Sequence, residues 1–126
     1  MTQVALGTVD IRQCALTVLS SVISKPAAER VVIDAGSKTF ALDKGTHGSD
    51  RVSGHGCILG KTADLARLSE EHGIIVHHGE SFALGEKLRI IPNHACPVIN
   101  LFDFVYLVDG DSVIGKLDVS GRGKVL

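Results

Sequence analysis

The 126-residue chain is 44% hydrophobic but only 4% aromatic, with no Trp, so it must bury an aliphatic core; at this length it can do so without disulfide staples. Thirteen Lys and Arg against fourteen Asp and Glu, mixed along the chain, argue against a nucleic-acid footprint. There is no apolar run of about 18 residues to span a membrane, and residues 1–7 lack the basic and apolar regions of a signal peptide. Three widely spaced cysteines (Cys14, Cys57, Cys96) make no disulfide framework, and the expectation is a cytoplasmic protein.

The elements read as one all-β domain over residues 1–126. Residues 15–24 (ALTVLSSVIS) form an apolar, β-branched strand, buried on both faces and ended by Lys25-Pro26. Residues 30–34 form a second strand, and residues 37–43 resume extended structure. Residues 44–56, rich in Gly, Ser, Asp and His, read as a long loop, a functional or mobile segment and not a simple connector. Residues 61–72 are ambiguous, because Leu65 and Leu68 sit at helical spacing while the same run also alternates. Strands follow at 74–77 and 87–92, and Asp109-Gly110 signals a hairpin between 102–108 and 112–119. The sum is a small β-barrel or sandwich of about seven or eight strands with at most one short helix.

His94-Ala95-Cys96 is the sharpest chemical feature. In an extended segment, residues i and i+2 share a side at about 7 Å between Cα atoms. An imidazole and a thiolate placed so suit zinc, with Pro92 and Pro97 stiffening the segment. The same tripeptide also suits a surface His beside a small buried Cys. A structural zinc site needs four protein ligands. Further ligands would come from His47, His55, His72, His77 or His78, or positions would stay open for water and substrate. His77 and His78 point to opposite faces of their strand, so at most one could join. Residues 34–38 offer a carboxylate, a hydroxyl and an amine in a turn that could bind an anion or simply be an Asx-type turn. Glu70-Glu71-His72 reads as a solvated face, and Cys14 and Cys57 as structural. Arg122 and Lys124 could bind phosphate or nothing.

Four blocks, taken together and in this order, carry a resemblance. They are residues 32–38 (VIDAGSK), 68–73 (LSEEHG), 85–97 (GEKLRIIPNHACP) and 121–124 (GRGK). The chain resembles the C-terminal β-domain of the D-serine dehydratase and D-threonine aldolase family, pyridoxal-phosphate (PLP) enzymes of the alanine racemase fold type. The resemblance implies that His94 and Cys96 are metal ligands, for zinc or another divalent ion, that orient a substrate β-hydroxyl. A Cys at the second position resembles the dehydratase branch. It also implies that residues 65–72 are a strand. The family's N-terminal (β/α)8 barrel, which carries the Schiff-base lysine, has no counterpart here, and residues 1–16 resemble the point where the chain leaves that barrel.

The expected partners are therefore a PLP-binding barrel domain and a small D-amino acid, with a homodimer also compatible. Alone, the chain is expected to be inactive, because PLP supplies the electron sink. A second reading is a free-standing β-module for partner or ligand binding that keeps only the fold. A third, a metallohydrolase, would need another ligand near His94 and a base such as Glu71 or Glu80.

Overall fold

The structure, a computed structural model, describes residues 1–44 and 52–124. Its strands are β1 (Val18–Ala27), β2 (Arg30–Ile33), β3 (Gly56–Ile58), β4 (Ala63–Leu68), β5 (Gly73–His77), β6 (Lys87–Pro92), β7 (Phe104–Asp109) and β8 (Ser112–Asp118). The first six close into an antiparallel barrel in the order β1-β2-β5-β4-β3-β6, with β6 pairing back onto β1. β7 and β8 form a separate two-stranded sheet. Among the described residues, helix is confined to single turns: α1 (Thr2–Ala5), a 3-10 turn at Ile11–Gln13, α2 (Ser37–Phe40) and α3 (Ala95–Ile99). Among the described residues, no helix is long and apolar enough to cross a membrane.

Closure follows from side chains that alternate between the two faces of each strand. Val22, Val31, Ile33, Ile58, Leu65, Ile75 and Ile90 point inward and are almost fully buried. Phe40 on α2, Phe82 in the β5–β6 loop and Val98 on α3 complete the same core. Each large aliphatic side chain buried this way contributes roughly 1.5–3 kcal/mol. Exposed ion pairs such as Lys38 with Glu70 and Glu71 are worth about 0–1 kcal/mol each. The barrel therefore stands on its aliphatic interior.

Several local expectations are corrected. β1 starts at Val18, runs through Pro26, and is buried on one face only: Val18, Ser20 and Val22 point inward while Leu19 is 65% exposed. Pro26 is tolerated because the ladder to β2 is irregular between Ser24 and Ala27, where no amide is required. The helical spacing of Leu65 and Leu68 is a consequence of a bulge. Leu65 pairs with Ile75 and Arg67 with Ile74, so Ala66 is the extra residue and shifts the inward phase by one. The strand implied over residues 65–72 is present but runs Ala63–Leu68, and residues 69–72 form the turn into β5.

Residues 37–43 are not extended. Gly36 lies against the segment joining β4 to β5, and the Ser37 and Lys38 amides donate to the Ser69 and Glu70 carbonyls. These bonds satisfy the free amides at the start of a helical turn. The positive φ of Ala41 (58°) ends it. The long loop expected at 44–56 yields β3 at its end, while residues 45–51 lie outside the described residues. The hairpin forms where expected, but its two loop residues are Gly110 and Asp111, and Gly110 takes φ 57°.

A Cβ on Gly36 would sit on the Ser69 and Glu70 carbonyl oxygens and the His72 amide, all backbone atoms that cannot swing aside. Gly36→Ala should therefore destabilise the barrel by about 2–3 kcal/mol, read as a lower urea midpoint at unchanged m-value.

Candidate metal and substrate-orienting site

β6 delivers Asn93 and His94 to one end of the barrel. Pro92 pairs with Gly56 at the end of the ladder, and the Asn93 amide continues it by donating to the His55 carbonyl at 3.3 Å. Asn93 is 3% exposed. Its side-chain nitrogen faces three carbonyl oxygens: Lys44 at 2.9 Å, Ser53 at 3.2 Å and Gly54 at 3.0 Å. One amide group thereby ties Lys44 to Ser53 and Gly54.

His94 follows as the N-cap of α3, with extended backbone (φ −133°, ψ 107°). Cys96 is already inside that helix, so the pleated i, i+2 geometry expected for the pair is replaced by a helix cap. Pro97 is compatible with this, because it sits in the first turn, where its missing N–H is not needed. The His94 side chain is 25% exposed, and its Nδ1 lies 2.9 Å from Asp43 Oδ2. Cys96 is a free, exposed thiol. An imidazole nitrogen and a thiol reachable from solvent have the donor chemistry of a zinc site that keeps open positions. Among the described residues, no three His, Cys, Asp or Glu side chains group to hold a metal ion.

The other histidines have separate roles. His47 lies outside the described residues. His77 points inward and is buried, with its ring 5.0 Å from that of Phe82, while His78 is exposed. His72 is exposed and belongs to a turn closed with Ser69. His55 is buried at 6% exposure, its Nδ1 has no hydrogen-bond partner among the described residues, and burial, with the charge of Lys44, holds its pKa below the ordinary value.

The 34–38 turn is structural. Asp34 accepts from the Ser20 hydroxyl and the Ser21 amide, both at 2.7 Å, and Lys38 pairs with Glu70 and Glu71. Glu80 accepts from the Thr62 amide, and Glu71 is paired with Lys38. Burial pushes the Cys57 thiol up, in keeping with a structural role, and Arg122 is paired with Asp103.

Two residues of the site were not singled out by sequence reasoning. Asn93 was legible only as part of a block, and Asp43 carries no local signal, standing 51 positions from His94.

The site is thus a His-x-Cys pair just beyond the last strand of a closed six-stranded barrel. Residues 15–108 match the family described as "Putative serine dehydratase domain", and the chain belongs to that family. An uncharacterized protein of Mycobacterium tuberculosis is 35% identical over 132 residues, covering 97% of this chain and 94% of that protein. D-threonine aldolase of Arthrobacter sp. is 33% identical over 111 residues, covering 86% of this chain but only 27% of the enzyme. The solved D-threo-3-hydroxyaspartate dehydratase of Delftia sp. HT23 superposes with a TM-score of 0.80 at 28% identity, covering 92% of this chain and 35% of that one. Structures of two variants of a D-threo-3-hydroxyaspartate dehydratase superpose as well, at TM-scores of 0.80 and 0.79. One replaces a histidine by alanine; the other replaces a cysteine two positions further on and is in a metal-free form. The chain thus spans about a quarter to a third of the enzymes it matches, and nearly the whole of the mycobacterial protein.

Two outcomes test this architecture. Asn93→Asp places a carboxylate against three carbonyl oxygens and should cost about 3 kcal/mol or more at neutral pH, measured by chemical denaturation. His55 is held neutral in the fold and gains a proton more readily when unfolded. Its contribution is therefore fully present above the unfolded pKa of about 6.5 and is lost as pH falls below it. Stability should drop between pH 7 and 5, and His55→Gln should flatten that slope.

Proposed function

We propose that this chain is the metal-binding, substrate-orienting domain of a PLP-dependent dehydratase or aldolase acting on β-hydroxy D-amino acids. His94 and Cys96 would hold the divalent ion, zinc by the chemistry of the donor pair. One observation carries the reading: a His-x-Cys pair, solvent-accessible and seated on a buried Asn93 clamp, in a chain of this family. The metal-free cysteine variant of the related dehydratase supports it, since its substituted histidine and cysteine have the same spacing.

When bound, such an ion supplies Lewis-acid polarisation to a hydroxyl oxygen. The chain's own residues contribute the nitrogen and sulfur donors, the Asn93 anchor and the barrel that keeps both at one end. His94 and Cys96 lie at the surface, so a PLP-binding barrel domain would have to close the site from outside. On this reading the chain has no lyase activity alone, and activity appears when that partner is supplied.

A second reading is a free-standing β-module that binds a partner, and the β7–β8 hairpin offers a face that either reading would use. Tyr106, Val113, Ile114 and Leu117 on it are each more than half exposed. A two-stranded sheet with this much uncovered apolar surface suits a contact face. The mycobacterial relative of matching length fits the same view.

Zinc titration against a competing chromophoric chelator tests the first reading. The chain should take up one zinc ion, and His94→Ala and Cys96→Ala should each abolish uptake while leaving the far-ultraviolet circular dichroism unchanged. Uptake that persists in both variants would overturn the metal assignment and leave the binding-module reading.

A further inference from the structure

We infer that Asp43 is a positioning residue for His94: it holds the ring proton on Nδ1, so that Nε2 is the nitrogen presented to a cation. The inference rests on the metal-binding reading above. A neutral imidazole carries one N–H and one lone pair, and a hydrogen bond at either nitrogen decides which is which. An ionised carboxylate can only accept. With Oδ2 of Asp43 at 2.9 Å from Nδ1, the proton belongs on Nδ1 and the lone pair on Nε2. The same bond restrains rotation of the ring.

The contact is built by the fold and is not a casual surface pair. Asn93 and His94, consecutive at the end of β6, grip Lys44 and Asp43, consecutive after α2. Asn93 donates to the Lys44 carbonyl at 2.9 Å while His94 meets the Asp43 carboxylate at the same distance. The Asp43 segment is anchored on its other side by Phe40, 2% exposed in the core, and by the turn that Ala41 ends. Two adjacent contacts therefore set both the height and the orientation of the imidazole. Asp43 is 49% exposed and His94 25% exposed, so water screens their charge and the directional hydrogen bond does the orienting. Carboxylate partners of this kind fix a metal-binding histidine and typically change metal affinity by about 10–100-fold when lost.

Long-range proton–nitrogen correlation of the full chain labelled with ¹⁵N-histidine, at pH 8 and without metal, reads the tautomer directly. His94 should carry its proton on Nδ1 in the wild type and lose that preference in Asp43→Ala. Zinc competition should then show an affinity about 10–100-fold lower for Asp43→Ala, with Asp43→Asn, whose amide oxygen can still accept, in between. The urea midpoints of the two variants show whether the fold is intact, and the wild-type spectrum stands even if a variant fails to fold. An Nε2-protonated His94 in the wild type, or a tautomer and zinc affinity indifferent to Asp43→Ala, overturns the inference. A wild type that shows the Asp43-dependent tautomer but binds no zinc sinks the metal reading and upholds the positioning contact. Zinc bound equally well by wild type and Asp43→Ala does the reverse.

Discussion

Asn93 is the residue on which the candidate site depends. Its side-chain nitrogen faces the carbonyls of Lys44, Ser53 and Gly54, and its backbone amide extends the pairing of β6 with the segment before β3. A buried amide is tolerated only when its polar atoms are satisfied, and here satisfaction brings Lys44, Ser53 and Gly54 to the end of β6. That single requirement places His94 at the barrel rim and brings Asp43 to its ring. It also starts α3, which returns Val98 to the core and carries Cys96 at the surface.

Around this point the barrel acts as a rigid mount. Its aliphatic interior packs β5 and β6 against β1 and β2, and the bulge at Ala66 keeps Leu65 and Leu68 on the inner side despite their spacing. Gly36 lets α2 press against the β4–β5 turn, and α2 in turn positions the segment that ends in Asp43. His94 and Cys96 thus stand at the end of β6 and on α3, elements whose positions are set by core packing. The β7–β8 hairpin is different: its large apolar side chains are turned to solvent, and it is tied to β6 through Arg89, which bonds the Gly110 carbonyl and Asp111.

Much of the fold was legible from residue pattern. β6 has the bounds read from residues 87–92, and the hairpin about Gly110 forms where the Asp-Gly signal stands. The opposite burial of His77 and His78 follows from strand alternation. The misreadings share one cause. Pro26 within β1, the extra Ala66 in β4 and the helical turn at Ser37–Phe40 are each permitted by a partner distant in the chain, and local periodicity carries no information about such partners.

By itself, the sequence determined that the chain is mostly β with an aliphatic core, that it resembles the D-serine dehydratase family, and that His94 and Cys96 are the residues to weigh. Those properties reside in composition, in two-residue alternation and in contiguous blocks. Only the tertiary structure decided that the pair sits on a helix cap and not on a pleat, and that Asp43 and Asn93 belong to the same site. The reason is distance along the chain: a hydrogen bond spanning 51 residues is created by barrel closure and leaves no trace in any local window.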